Sequence, residues 1–300
     1  MDANAVAKFI LKEGYGYPAE SVEVSVPVAQ VSLDKGDVDV WLDLWWWYYL
    51  PWYESAIADG KIENVGVSME PVPSFWMIPK WVSEEYNIKT VEDLKRPDVV
   101  KLFPDPEDPN KGLFVNCPIG WQCQLINTIK MEAYGLTKQY NIVEGTAAAL
   151  DAALAGAQKK HEPVFGYYWA PTALMGMFDW YILEEPKYDP LVWDKILAAA
   201  EDPSLRPIAE AVAYEAVSPI NGIWSGLRDK APDVATLVGK MSIGLEPVNK
   251  IAAWAIENDI QGDWDKAAIQ YLKTYEDRWK TWMPDENYKK VKTALEKVSA

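Results

Sequence analysis

Five tryptophans stand where a chain can present an indole face to a ligand: Trp45 in LDLWWW, Trp76 in SFWMIPKW, Trp121 in CPIGWQC, Trp169 in YYWAPT and Trp224 in NGIWSG. Each falls at the mouth of a predicted strand or at a helix start, where open α/β folds collect ligand-binding groups. Several indole faces around a cavity suit a cation that carries no N–H donor, such as trimethylammonium. Hydrogen bonds cannot hold such a cation, whereas cation–π attraction contributes about 0.5–2 kcal/mol per ring. Asp43 would add charge attraction beside Trp45. The turn 117–121 and the helix after it offer backbone N–H groups to an anionic ligand end. Any one of these tryptophans alone is better read as packing; five at corresponding loop positions in both halves favour a ligand.

Other chemistries lack their residues. The chain has no GxSxG, P-loop, GxGxxG, HExxH or EF-hand loop. Asp39 with Asp43, or Glu184 with Glu185, would be the carboxylates of a glycosidase, but solvated or capping acids are the better reading. With His161 the single histidine, neither a histidine-based catalytic centre nor a zinc site is expected, and no metal or cofactor is called for. The formal net charge of −16 opposes binding to nucleic acid, whose phosphates require a basic footprint. It also opposes docking on an anionic membrane and suits a neutral or cationic partner. No run is long and apolar enough for a membrane span. The opening MDANAVAKFILKEGYGYP reads as an amphipathic helix already under way, so a signal peptide is not expected in this chain. Cys117 and Cys123 flank a turn containing Pro118 and Gly120. That turn would bring the sulfurs together as a disulfide, which suits an oxidising compartment; the alternative is two free, buried thiols.

The elements that position these residues follow from periodicity. Residues 2–13 read as a helix with Ala5, Val6, Phe9 and Ile10 on one face, ending near Gly14 and Gly16. SVEVSVPV (21–28) alternates as a strand, VAQVSLDKG is a short helix stopped at Gly36, and DVDVWLDLW is a strand. PWYESAIADGKI is a helix and VGVSM a strand. In the middle, KGLFVNCPIG is strand then turn, and WQCQLINTIKMEAYGL a helix closed by Gly135. YNIVEG is a strand, the helix from Ala147 is capped by Thr146, and PVFGYYWAP is a strand. The proline-rich segment 96–112 reads as a linker or covering loop between the halves. Helices from about Ala231 carry Trp254, Trp264, Trp279 and Trp282 as packing residues. The βαβ alternation predicts an α/β fold with parallel sheets. In LWWWYYLPW, strand alternation forbids the three tryptophans from pointing one way: Trp45 is expected to face the ligand, Trp46 and Trp47 to line the rim or pack under the next helix.

GDVDVWLDLW, MIPKWVSEEYNIKTVEDL, GLFVNCPIGWQC, GTAAALDAALAGAQKKHEPVFGYYWAPTALMG, FDWYILEEP and KAPDVATLVGKMSI together resemble the substrate-binding proteins of glycine betaine/choline-type ABC importers. The combination of CPxGWxC with YYWxPT carries most of that resemblance, which runs over nearly the whole chain. It implies a two-lobe periplasmic-binding-protein (type II) fold with a hinge, and a ligand held by an aromatic cage in the cleft between lobes. Carried over by position, Trp45, Trp121 and Trp169 match the cage tryptophans and Asp43 an acidic position; Trp76 and Trp224 match less closely. Lobe one would comprise 1–111 and 218–300, and lobe two 112–217. The family's first strand, ahead of the opening helix, is expected to be missing. The implied function is capture of glycine betaine, trimethylamine N-oxide or a choline-like osmolyte, without catalysis. The setting is periplasmic or extracellular, the partner a cognate ABC permease, and a monomer is expected. The aromatic excess of WWWYYLPW also admits a sulfonium such as dimethylsulfoniopropionate. Rival classes are a sensory domain for the same ligand and a carbohydrate-active protein, although sugar sites want more Asn and Arg than surround these rings.

Overall fold

The computed structural model describes residues 3–260 and 262–298; Asp2, where the first helix was expected to begin, lies outside them. The chain forms two compact units, Met1–Val72 with Pro171–Gly176 and Val217–Ala300, and Pro73–Ala170 with Met177–Ala216. The first boundary therefore falls at Val72, not near residue 111. The reason is β3 (Ser74–Pro79), which hydrogen-bonds to β6 (Gly166–Trp169) and β7 (Trp180–Ile182) inside the second unit. Segment 96–112 likewise belongs to the second unit instead of linking the two. It buries Val99 and Phe103, and Phe103 packs on Phe165 with centroids 6.0 Å apart.

In the first unit β1 (Val40–Leu44), β8 (Ile220–Trp224) and β2 (Ile62–Val67) form a sheet in the order β1-β8-β2. Both β1 and β2 pair antiparallel with β8. The expected parallel pairing of successive strands is thus interrupted by a strand from late in the chain. Its core gathers Val6 and Ile10 of the Ala3–Ile10 helix with Ile223, Val238, Tyr271, Trp279 and Val291. The first helix continues as a π-helical turn through Leu11–Tyr15 and stops at Gly16, whose φ of 77° supplies the left-handed cap. Of the four C-terminal tryptophans, Trp279 and Trp282 are buried as expected, but Trp264 is 46% exposed.

SVEVSVPV is not a strand. Val22 and Val24 are exposed and unladdered, and a helix starts at Val26 with Pro27 in its first turn, where a missing N–H costs nothing. Alternation specifies a strand only where a partner edge receives it.

The second unit has a five-stranded sheet in the order β5-β4-β6-β3-β7, with β5 at Tyr140–Val143 and β4 at Gly112–Val115. Here the predicted parallel register holds for β5-β4-β6, while β3 runs antiparallel to its neighbours. The core is aromatic: Trp76, Phe114 and Phe165 meet with centroid distances of 4.6–5.7 Å. The Ala147–Lys160 helix begins as predicted, the Thr146 hydroxyl accepting from the Ala149 N–H at 3.2 Å.

Candidate functional site

In the first unit the site residues lie where β1 ends. Between Trp41 and Leu44 the register to β8 slips, and Asp43 within that stretch has φ of 57°. A left-handed residue inside a strand re-aims the side chains beyond it, and aspartate tolerates it better than most residues. Leu42 and Leu44 are buried in the core, whereas Asp43 and Trp45 are partly exposed. The chain then tightens into a 3₁₀ turn, Trp46–Tyr49. Trp45 stacks on Tyr48 (centroids 6.1 Å, planes 9° apart) and leans on Trp47 at 5.1 Å. Tyr48 is 67% exposed. Trp46 instead packs on Tyr53 of the Leu50–Ala58 helix at 5.3 Å and donates from Nε1 to the Ser218 carbonyl at 3.3 Å. The three consecutive tryptophans therefore have three different surroundings.

In the second unit Cys117 and Cys123 are joined as a disulfide, their Cα atoms 5.7 Å apart. The loop they close carries Trp121 at the N-terminus of the Gln122–Ala133 helix. Trp121 is 46% exposed, and its ring lies 5.4 Å from Trp169, tilted by 55°. Trp169 ends β6 and stacks on Tyr168 at 4.5 Å. These two rings, expected at separate loop positions, come together as a pair. The turn's own N–H groups are engaged: Cys117 N–H donates to Asn116 Oδ1 (2.7 Å), Ile119 to the Gly145 carbonyl (2.9 Å), Gly120 to Gln124 Oε1 (3.0 Å) and Trp121 to the Pro118 carbonyl (3.2 Å). An anionic ligand end would address the first turn of the helix that follows, at Gln122 and Cys123.

Two predicted tryptophans stand apart. Trp76 is fully buried among Phe114, Tyr134 and Phe165, and its Nε1–H donates to Asn127 Oδ1 at 2.9 Å. A ring enclosed in this way offers no face to a solute. Trp224 is held at the opposite end of β1 from Trp45, its N–H bonded to the Asp39 carbonyl at 3.0 Å. From Asp39 to Trp45 the strand path covers roughly 20 Å at about 3.3 Å per residue. Gly36 and Gly226 flank the Trp224 indole; a Cβ at Gly36 would lie 2.6 Å from ring atom Cε2, and one at Gly226 2.3 Å from Cη2. The Trp224 indole thus packs closely on the backbone at both glycines.

Sequence reasoning missed a buried polar cluster at the C-terminal end of the Gln122–Ala133 helix. Lys130 and Glu185 form an ion pair at 2.6 Å with side-chain exposures of 0% and 3%. Glu185 also accepts from the Tyr134 hydroxyl at 2.9 Å, and the Lys130 ammonium lies 4.3 Å from the Tyr214 ring centroid. Burial pulls the Lys130 pKa below its ordinary value, with the Glu185 carboxylate acting against it. Burial likewise pushes the Tyr214 hydroxyl well above the usual tyrosine value. Among the described residues no cluster of three or more His, Cys, Asp or Glu is placed to hold a metal ion.

The profile of the substrate binding domain of ABC-type glycine betaine transport systems matches residues 3–274. The chain belongs to this family. A glycine betaine/proline betaine-binding periplasmic protein of Escherichia coli (strain K12) is 31% identical over 166 residues, 55% of this chain and 50% of that protein. A trimethylamine N-oxide-binding protein of Pelagibacter ubique is 25% identical over 164 residues, 53% of this chain and 52% of that protein. The matched region spans about half the length of the curated relatives. Among solved structures, an ABC-transporter choline binding protein in complex with choline superposes with a TM-score of 0.54 at 21% identity, covering 97% of this chain and 92% of that one. The glycine betaine/L-proline-binding protein ProX from Borrelia burgdorferi gives 0.54 at 19%, covering 96% and 95%. At these identities the structures establish the fold, the two-lobe architecture of periplasmic binding proteins. Membership in the betaine-transport family makes the chain a substrate-binding domain.

Proposed function

We propose that the chain captures a small methylated-ammonium solute, of the glycine betaine, choline or trimethylamine N-oxide class, for an ABC importer. The rings proposed to meet a methylated head are Trp121 with Trp169 in the second unit and, in the first, Trp45. The observation that carries this reading is the pairing of solvent-reaching aromatic rings at element boundaries, Trp121 with Trp169 and Trp45 with Tyr48. Methyl groups on nitrogen remove every donor, so the charge is met by ring faces, at about 0.5–2 kcal/mol per ring. Asp43 and the net charge of −16 favour a positive head group, and the start of the Gln122–Ala133 helix favours a negative tail. The proposed ligand set leaves out Trp76, which is fully buried, and Trp224, which packs on Gly36 and Gly226. The relatives named above for glycine betaine, choline and trimethylamine N-oxide support the solute class. The role is binding, not catalysis, on the outer side of the membrane in partnership with a permease, by a monomer.

Calorimetric titration of the purified protein with glycine betaine, choline, trimethylamine N-oxide and dimethylsulfoniopropionate tests this. At least one methylated ammonium is expected to bind below the millimolar range. Binding of none would refute the reading, and binding of the sulfonium alone would replace the head group.

A further inference from the structure

We propose that Asn127, buried in the second unit, is a positioning residue for ligand binding, because its orientation dictates how the disulfide loop carries Trp121. The inference rests on the reading of Trp121 as a cation-facing ring.

Asn127 and Asn116 are 0% and 1% exposed. Amides so deep are costly unless each polar end finds its complement. Asn127 Oδ1 accepts from Trp76 Nε1 at 2.9 Å and from the Tyr214 hydroxyl at 2.8 Å. With its oxygen facing two donors, Asn127 turns its Nδ2 toward Asn116, donating to Asn116 Oδ1 at 2.9 Å. Asn116 must therefore present oxygen on that side, and the same oxygen accepts the Cys117 N–H at 2.7 Å. Its own Nδ2 is then directed to the Gln124 carbonyl and to Glu144 Oε1, both at 3.1 Å. Gln124 closes the relay, accepting from the Gly120 N–H at 3.0 Å and donating to Glu144 Oε2 at 2.6 Å.

Each amide's direction is set by the one behind it, and the relay grips the loop on both sides of Trp121, at Cys117 and Gly120 before it and at Gln124 after it. The disulfide fixes only how far apart the loop's two ends lie; the amides fix which way the loop faces. The base of the relay is held in turn by Lys130, one helical turn beyond Asn127. Its ammonium lies 4.3 Å from the Tyr214 centroid and 5.1 Å from that of Trp76, the two donors to Asn127.

The test is a double-mutant cycle on the full chain, read by calorimetric titration with glycine betaine, choline and trimethylamine N-oxide. Asn127→Ala is expected to weaken the tightest of these about tenfold, comparable to loss of one desolvated ring by Trp121→Ala. In the Trp121→Ala background the same change should weaken binding less than about twofold, because no ring remains to be positioned. A general structural defect would weaken binding equally in both backgrounds, and that result would overturn the positioning role. So would native affinity in a folded Asn127→Ala protein. If Trp121→Ala alone binds like the native protein, the ring assignment itself fails, a result distinct from an additive cycle. Where circular dichroism shows Asn127→Ala unfolded, Gln124→Ala, at the partly exposed end of the relay, enters the same cycle with the same deciding outcomes.

Discussion

Replacing Trp169 with alanine removes one ring and unseats another. Trp169 ends β6, and its indole is braced between Tyr168 at 4.5 Å and Trp121 at 5.4 Å. Loss of a desolvated cation–π face accounts for about 2 kcal/mol at the upper end. Without its brace Trp121 must be ordered when ligand binds, at a further cost of about 0.5–1 kcal/mol. Together these give about 2.5–3 kcal/mol of binding free energy, roughly a 70- to 160-fold rise in Kd. Trp169→Phe, which keeps a face and most of the bracing, should lose less than about tenfold. Because Trp169 is only partly buried, thermal stability should fall much less than for removal of the enclosed Trp76. Calorimetry with the tightest methylated ammonium, alongside thermal melts, separates the two effects. A Trp169→Ala protein that melts like the native one and binds within threefold of it would refute the argument. Loss of stability equal to that of Trp76→Ala would show that Trp169 is a packing residue instead.

Two further outcomes concern the scaffold. Lys130→Met should destabilise the protein by about 3–5 kcal/mol in urea unfolding, since it strands the Glu185 carboxylate in the core, and adding Glu185→Gln should restore much of that loss. Thr146→Ala, which removes the cap on the Ala147–Lys160 helix, should cost about 1 kcal/mol in the same assay and leave ligand affinity unchanged.

What could be read from the sequence was local. Gly16, Gly36 and Gly135 end helices, Thr146 begins one, and Cys117 and Cys123 close a six-residue separation. Each signal acts within a turn or two of where it is written. The placement of Trp45 and Trp169 at strand ends and of Trp121 at a helix start was also legible, because those boundaries announce themselves nearby. Trp76 was not: the partner that fixes its indole, Asn127, lies 51 residues away, and SFWMIP looks the same from outside whether its tryptophan points to solvent or core. Trp224 fails for a related reason. Its strand inserts between β1 and β2 from much later in the chain, and only that register reveals that it sits at the opposite end of β1 from Trp45. SVEVSVPV shows the converse, with correct alternation and no edge to receive it.

The tilt between Trp121 and Trp169 has an optical consequence. Two indoles 5.4 Å apart with planes 55° from parallel couple their electronic transitions, and a coupled, non-parallel pair in a chiral setting gives paired circular-dichroism bands of opposite sign. With 16 tryptophans in the chain, fluorescence averages over many rings that no ligand touches. The split band depends on mutual ring orientation, so a cation that inserts beside the pair should change its amplitude. The difference spectrum between native protein and Trp121→Ala would isolate it, giving the loop an intrinsic goniometer that needs no label.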